Sequence, residues 1–254
     1  MAESMRLVLA LLPICGFAAD PLDSLRAFPA VTLRAETHHV QGIDVNRAAV
    51  WVSSVDVRNK LGLLFVFDRK TGVLRLSAEV QNGERFHPGG ISLAGGSIWV
   101  PVAEYRRSST TSMQKRHRRT LALESEFAVD DHIGAVAVVP EGLVGANWDA
   151  REFYVWTLAG NLQRRIPNPT GVAIQDMKYV DGTLIAGGLE SGGGAVVWLE
   201  WPSLKELRRI RMGRTNRGIP LTQEGLAVRG HTLYLLPEDA PSRLFAFQLP
   251  RFRD

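Results

Sequence analysis

Cysteine is nearly absent from this sequence, in which Cys15 is the single thiol among 254 residues. An intramolecular disulfide is therefore excluded, and the stability of the fold has to come from packing. No run of 18 apolar residues occurs, which excludes a transmembrane helix. The His-Glu-x-x-His zinc helix and the Gly-x-Ser-x-Gly nucleophile elbow are also missing, so the hydrolases that depend on them have no support.

An excess of charge of one sign is missing as well. The net charge of +4, from 30 Lys and Arg against 26 Asp and Glu, is spread over the whole chain. Such a dilute excess does not indicate a nucleic-acid partner. A hydrophobic content of 45% in a chain of this length instead favours a globular protein with a large core.

The first 18 residues have the pattern of a secretory signal peptide. Arg6 precedes an apolar run over residues 7–17, and small residues at Gly16 and Ala18 fit cleavage after Ala18. We therefore predict a signal peptide over residues 1–18 and one mature domain over residues 19–254, secreted or periplasmic. A buried N-terminal helix and a lipoprotein anchor through Cys15 are the alternatives.

The mature chain consists of short β-rich runs separated by turn signals such as Lys70-Thr-Gly72 and Asp181-Gly182. This pattern predicts an all-β protein. The predicted strands include 49–53, 63–67, 97–101, 153–156, 195–199, 232–236 and 243–247.

A repeat organises these strands. An apolar residue opens the first strand of each predicted unit, and successive openings lie 41 to 49 residues apart, at Ile43, Ile91, Val136, Met177 and Leu226. Thirteen residues beyond each opening lies an acid, in the column Asp56, Glu104, Asp149, Glu190 and Asp239. Five copies of a four-stranded unit predict a five-bladed β-propeller, with a double-sheet sandwich as the alternative.

The fifth unit is one strand short. After the strand near Phe245 only residues 248–254 remain, too few for a full outer strand. The segment 29–36 precedes the first unit and alternates like a strand. We expect it to close blade five and leave no open edge in the ring.

Histidines occupy one column of the repeat. In a propeller blade the first strand leaves one face and the second strand returns to it, so their ends meet at the mouth of the central channel, a concave place where ligands bind. The predicted ligand contacts are His39, Gln41, His87, His132, Gln175, Asp176 and Glu224, with Arg106, Asp149 and Arg151 at the rim.

Three of these contacts, His39, His87 and His132, are candidate metal ligands. Three imidazoles with a nearby carboxylate suit Zn²⁺, while carboxylates with backbone carbonyls suit Ca²⁺. The structural alternative is that the histidines hydrogen-bond neighbouring blades and that the aligned acids cap turns.

An acid-x-Arg pattern follows the second strand in three consecutive units, at Asp56-Val-Arg58, Glu104-Tyr-Arg106 and Asp149-Ala-Arg151. The pattern is typical of ion pairs at a blade rim, and its alternative is a set of guanidinium groups that receive an anion. Trp148 beside Asp149 is a candidate for stacking on a sugar ring or for covering a blade edge.

A basic run at Lys115–Arg119 lies in a stretch, residues 108–120, that is poor in apolar residues. We predict a solvated, mobile hairpin there. Binding of anionic lipid or polysaccharide is the alternative.

Four strings carry a resemblance that covers nearly the whole mature chain. They are His87-Pro-Gly-Gly-Ile91, Asp130-Asp-His-Ile-Gly134, Gly145-Ala-Asn-Trp-Asp-Ala-Arg151, and Leu221-Thr-Gln-Glu-Gly-Leu226 with Leu236-Pro-Glu-Asp-Ala-Pro-Ser-Arg243. They resemble an uncharacterised family of exported bacterial propeller-like proteins, a domain of unknown function that implies no reaction. Val40-Gln-Gly-Ile43 and Thr222-Gln-Glu-Gly-Leu226 are similar to a string that opens a blade in five-bladed glutaminyl cyclases.

These patterns predict an exported, monomeric propeller that binds a small polar or anionic molecule at the channel mouth, with a divalent metal such as Ca²⁺ or Zn²⁺ as a possible cofactor. One alternative is a metal-assisted hydrolase or lyase at the same mouth, in which His87, His132 or Glu224 moves a proton. The other is a protein-interaction scaffold without a small ligand.

Overall fold

A computed structural model describes residues 25–250. The predicted signal peptide, with Cys15, lies outside the described residues. The described chain forms five antiparallel sheets arranged as the blades of a ring, which confirms the predicted five-bladed β-propeller. Between residues 25 and 250 no helix is long and apolar enough to cross a bilayer.

The blades follow one another along the chain, and the strands of each blade are given from the channel outward. Blade one contains β2 (His39–Val45), β3 (Ala49–Asp56), β4 (Leu61–Asp68) and β5 (Leu74–Glu79). Blade two contains β6 (Arg85–Pro88) and β7 (Ser92–Ala94), which both pair with β8 (Ser97–Glu104), then β9 (Thr111–His117) and β10 (Leu123–Val129). Blade three contains β11 (Ile133–Val139), β12 (Gly142–Asn147), a short 3₁₀ turn (Trp148–Ala150), β13 (Glu152–Trp156) and β14 (Leu162–Pro167).

Blade four contains β15 (Ala173–Val180), β16 (Thr183–Glu190), β17 (Gly193–Glu200) and β18 (Glu206–Met212). Blade five contains β19 (Glu224–Arg229), β20 (Thr232–Pro237), β21 (Arg243–Gln248) and, as its outermost strand, β1 (Arg26–Thr32).

The hydrophobic core lies between blades rather than inside any one of them. Trp51 and Leu64 of blade one, for example, pack with Ile91 and Ile98 of blade two. Because the second strand of a blade is covered on both faces, β3 is buried at all eight positions, and its first four residues, 49–52, are all apolar. The outer strand β5 alternates between half-buried and exposed residues, as expected for a strand with one solvent-exposed face.

The ring is closed by β1, which pairs antiparallel with β21. This confirms that a segment preceding blade one completes blade five, although the strand spans Arg26–Thr32 rather than 29–36. The register shifts between Phe28 and Val31, around Pro29. Since proline donates no hydrogen bond, it is tolerated in an outermost strand at such a bulge, whereas the sequence pattern reads it as a boundary.

Small residues line the channel axis, where the first strands of the blades converge. A Cβ atom on Gly42 would lie 2.4 Å from the Cα of Gly90, so neither blade tolerates a side chain there. The one large member of this repeat column is Asp176, which is fully buried. Its Oδ2 accepts hydrogen bonds from the backbone N of Ile43 (2.9 Å) and of Leu226 (3.0 Å), so it joins blades one, four and five.

The basic run belongs to a hairpin, as predicted, formed by β9 and β10, but the prediction that it is solvated is wrong because most of residues 108–120 are buried or half-buried. Residues 111–117 are β9, the third strand of blade two, and Met113 packs in the core. Arg116 is buried. Its burial is tolerated because its Nε donates to Oε1 of Gln114 (2.7 Å) and its Nη1 donates to the carbonyl of Leu121 (2.8 Å). A polar run therefore becomes a central strand when its side chains satisfy one another.

Candidate functional site

The mouth face is the end of the ring where the first strand of each blade begins and the second strand ends. Cross-strand pairs such as His39 with Val55 and His87 with Ala103 place these ends side by side. The repeat columns that contain the three histidines and the five acids therefore lie at one face.

Bulges in the first strands direct side chains into the mouth. In blades one, three and four the register shifts by one residue at Gln41, Gly134 and Gln175, which leaves these residues out of the ladder. A bulged residue is re-aimed relative to its strand. All three line one cavity at the channel mouth, which is how the same bulge in different blades builds a shared site.

That cavity, the mouth pocket, has a volume of about 140 Å³. The mouth pocket is lined by Gln41, His87, His132, Gly134, Asn147, Trp148, Asp149, Ile174 and Gln175.

His87 is a buried polar residue of the mouth pocket whose hydrogen-bonding capacity is only partly used. Its Nε2 donates to Oε1 of Gln41 (3.0 Å), and its buried Nδ1 has no hydrogen-bond partner among the described residues. Burial, with the neighbouring His132 and His39, lowers the pKa of His87 to about 3. The ring is therefore neutral at physiological pH and offers Nδ1 as an acceptor.

His132 faces His87 across the pocket, with ring centroids 5.2 Å apart. Its Nδ1 lies 2.8 Å from the carbonyl of Arg106 and 3.1 Å from Oγ of Ser109. Because a carbonyl only accepts, Nδ1 carries the ring proton. Burial lowers the pKa of His132, so this imidazole is also held neutral.

Trp148 and Asp149 form the outer wall of the mouth pocket. The Trp148 indole meets the His132 ring edge-on, with centroids 4.4 Å apart. The turn that holds them is strained, since Asp149 has φ +60° and Ala150 has φ +48°. Asp149 pairs with Arg107 of blade two, so the carboxylate in the wall is neutralised by a neighbouring blade.

A second group of ionisable side chains lies at the blade one and blade five side of the mouth. This mouth cluster consists of His39, Glu224 and Glu238, whose nitrogen and oxygen ligand atoms all lie within 4.8 Å of one another. Nδ1 of His39 lies 3.0 Å from Oε1 of Glu238, in a geometry that makes no hydrogen bond.

Glu224 is the buried member of the mouth cluster. The residue is 7% exposed, and no hydrogen bond to its carboxylate is formed within the described part of the chain. Burial, followed by the charges of Glu238 and Asp176, raises its pKa well above the ordinary value. Its backbone has φ +102°, a conformation that side chains disfavour.

Tyr105 connects the mouth cluster to the mouth pocket. Its ring meets His87 edge-on with centroids 4.7 Å apart. Its pKa is raised by burial and by the charges of Glu224 and Glu238, so the phenol lies within electrostatic range of both carboxylates. Pocket and cluster are therefore neighbouring parts of one mouth.

Comparison with known proteins supplies a family. The family of unknown function DUF6454 matches residues 18–183. The chain belongs to DUF6454. This confirms the resemblance inferred from the sequence strings, and a search of curated proteins finds no match.

Solved structures similar to this DUF6454 chain support the propeller. The glutaminyl cyclase of Myxococcus xanthus has a TM-score of 0.68 at 12% identity, over 89% of this chain and 97% of that chain. A protein of unknown function from Bacteroides caccae has a TM-score of 0.51 at 11% identity, over 79% of this chain and 71% of that chain. At such identities the likeness concerns the fold alone.

The DUF6454 chain brings part of the predicted contact set together. Gln41, His87, His132, Asp149 and Gln175 line the mouth pocket. His39 and Glu224 belong to the mouth cluster instead. Asp176 lies below the mouth, where it holds backbone amides.

The rim arginines do not line the mouth pocket. Arg106 pairs with Glu104, with Nη2 2.5 Å from Oε2, and is mostly exposed. Arg151 is exposed at the turn after Ala150, and its predicted partner Asp149 pairs with Arg107 instead.

The three histidines are not gathered as one set of metal ligands. Successive blades of a five-membered ring are rotated by about 72°, so equivalent residues of blades one, two and three converge only at the axis. His39 instead lies beside Glu238 of blade five. In residues 25–250 the group of three or more potential ligands that comes together is the mouth cluster.

Tyr105, Asn147 and Glu238 were missed as site residues by the sequence reasoning. A signal for Glu238 exists in the repeat, since the position just before each acid of the column is Val55, Ala103, Trp148, Leu189 and Glu238. This position is a small or aliphatic residue in blades one, two and four. In blade three it is Trp148, which lines the mouth pocket, and in blade five it is Glu238, which belongs to the mouth cluster. A break in the apolar character of a column therefore marks a site residue.

Proposed function

We propose that this DUF6454 protein is exported and binds a small polar or anionic molecule in the mouth pocket. The observation that carries the proposal is the His87 ring, which lines the pocket as a neutral imidazole with a buried, unpartnered Nδ1. A desolvated acceptor without a donor is costly, so it favours a molecule that supplies one.

The other walls of the pocket suit a polar molecule. The amide of Gln175 makes one long contact, from Nε2 to the carbonyl of Ala173 (3.4 Å), and is otherwise available at the bulge. Trp148 offers a flat face, on which a sugar or another planar ring can stack. A few hydrogen-bonding groups beside one aromatic surface are typical of small-molecule sites.

Catalysis at the pocket has weaker support than binding. A general base works best when its pKa is near the operating pH, and the pKa of His87, at about 3, is far below it. The hydrolase or lyase alternative therefore needs a different base. A turnover screen with lactones, phosphate esters, glycosides and peptides with N-terminal glutamine tests it directly, and turnover that disappears in His132→Gln would favour the enzyme.

Ligand-observed NMR tests the binding proposal. The probes are monosaccharides, free amino acids, short carboxylic acids and sugar phosphates, each mixed with the folded protein. We expect at least one class to bind, and Gln175→Ala to weaken it by about tenfold, as expected for loss of one hydrogen bond to a buried ligand. The matched control is Gln163→Ala on the exposed strand β14, which should bind normally. Equal binding by the two variants would contradict the proposal.

A further inference from the structure

We propose that His39, Glu224 and Glu238 bind a divalent transition-metal ion of the Zn²⁺ type. The inference rests on the proposed function, because the ion would lie beside the mouth pocket and form part of the same binding mouth. It replaces the three-histidine set with ligands from blades one and five.

The geometry of the mouth cluster supports the assignment. One imidazole and two carboxylates place ligand atoms within 4.8 Å of one another, as the ligands of a single ion must be. His39 is the first residue of β2, Glu224 is the first residue of β19, and Glu238 directly follows β20. Side chains at strand ends of adjoining blades are held by the scaffold, which favours a preformed site.

The carboxylate of Glu224 has no cationic partner among the described residues, in contrast to three acids of the repeat column. Glu104 pairs with Arg106, Glu190 with Arg209, and Asp239 with Arg217 and Arg243. The carboxylate of Glu224, a residue that is 7% exposed, has no such cation and accepts no hydrogen bond within residues 25–250. A buried carboxylate in this condition needs either a proton or a cation.

The backbone of Glu224 is strained as well. Its φ of +102° is strained for any residue with a side chain, and its repeat column contains glycine at Gly89 and Gly134. Glycine would remove the strain at this position as well. Strained residues of this kind persist at ligand sites.

The donor set selects the class of ion. Imidazole suits zinc and its neighbours in the transition series, whereas Ca²⁺ prefers six to eight oxygen ligands. Three protein ligands leave at least one coordination position open, as in zinc sites that contact a substrate or water. Glu238 is 42% exposed, which gives the ion access from solvent.

Zinc titration of the chelator-treated, full-length protein tests the proposal. Isothermal titration calorimetry with ZnCl₂ should show one ion per chain, and zinc should raise the melting temperature because it binds the folded form. Co²⁺ should give the visible absorption of a protein-bound ion with nitrogen ligation. CaCl₂ should not compete at equal concentration. Calcium binding in preference to zinc would overturn the assignment.

Matched variants locate the ion. Removing one of three ligands should weaken zinc binding by about 100-fold or more in His39→Asn, Glu224→Gln and Glu238→Gln. Two neighbours outside the cluster provide controls, because His38→Asn and Glu36→Gln change the same residue types at the same face. Both controls should bind within about twofold of the unmodified protein. Equal binding by His39→Asn and His38→Asn would overturn the proposal.

The failure of this site is distinguishable from the failure of the proposed function. Gln175→Ala should bind zinc normally while it binds the small molecule about tenfold more weakly. If zinc does not bind but the small molecule does, the metal site alone is overturned. If Glu224→Gln fails to fold, the calorimetry and Co²⁺ spectrum of Glu238→Gln decide the matter.

Discussion

Two buried carboxylates near the channel axis, Asp176 and Glu224, have opposite surroundings. Asp176 accepts hydrogen bonds from Met177 N (2.8 Å), from Lys178 Nζ (2.5 Å), and from two backbone amides of neighbouring blades. Glu224 accepts none among the described residues. Each is less than one-tenth exposed.

The difference separates a structural charge from a binding charge. Burial raises the pKa of Asp176 to about 6 even though Lys178 and the amide donors lower it, so the group is ionised at neutral pH. Its ion pair and hydrogen bonds replace the lost hydration, and they connect three blades. Glu224 lacks this replacement, so a proton or an ion has to provide it.

Removing the satisfied charge should have the largest effect. Asp176→Ala leaves the buried Lys178 without its anionic partner and three backbone amides without an acceptor, so we expect a loss of about 3–5 kcal/mol in the free energy of unfolding. Urea unfolding at pH 7 measures it. Glu84→Ala, an exposed change at the same face, should be neutral. A loss below about 1 kcal/mol would show that the network at Asp176 is not structural.

The pH dependence of stability extends the comparison to His87, a buried base. Its folded-state pKa of about 3 lies below the unfolded value, so the unfolded chain gains a proton that the folded chain does not, and stability falls as the pH falls from 6.5 toward 3. At pH 4 this amounts to roughly 3 kcal/mol relative to pH 8. His87→Gln should lack this part of the acid loss, while His231→Gln at the opposite, exposed end of the blades should retain it.

The loss of stability at low pH that is due to His87 is best measured as a difference between the two histidine variants. Asp176 and Glu224 have raised pKa values, so their contributions change with pH in the opposite direction to that of His87. Unfolding curves for both histidine variants at pH 8, 6 and 4 cancel those shared contributions. Parallel curves for the two variants would contradict burial of a neutral His87.

Removing the unsatisfied charge should stabilise the metal-free protein. Because the folded-state pKa of Glu224 is raised, its contribution to stability is present below about pH 4.5 and is lost as the pH rises through the folded-state value. Glu224→Gln should therefore be more stable than the unmodified chain by roughly 1–2 kcal/mol at pH 8, and no more stable at pH 4. Chemical unfolding in a chelating buffer measures it. A destabilised variant at pH 8 would place Glu224 with the structural charges.

Breaking an exposed pair should have the smallest effect. Asp149 and Arg107 pair at the rim with side chains that are each about half exposed. Arg107→Ala should therefore change the free energy of unfolding by less than about 0.5 kcal/mol. A thermal melt measures it, and a much larger loss would mean that the strained turn at Asp149 depends on this arginine.

The sequence predicts the ring because repetition imposes it. Apolar residues at regular intervals fix the first strands, and small residues beside them, such as Gly42 and Gly90, are required where backbones meet at the axis. The same repetition places His87 and His132 at one face. These features depend only on where each strand lies in the repeat and in which direction it runs. Both can be inferred from the repeat spacing and from the alternation of residues.

The sequence does not predict which residues pair with the side chains at the mouth. Asp149 has φ +60°, so its carboxylate pairs with Arg107 of the preceding blade rather than with Arg151 two residues along. His39 lies beside Glu238 of blade five because the ring brings the two ends of the repeat together. Both pairings depend on loop conformation and ring closure, which no local pattern encodes.

The pairing of β1 with β21 constrains the order of events during biosynthesis. More than two hundred residues separate the partners Arg26 and Gln248, so the earlier strand leaves the ribosome long before the later one exists. Until translation has produced blade five, the β1 segment has no sheet to join. Completion of the circle is therefore a late step, and the unfinished chain exposes strand edges.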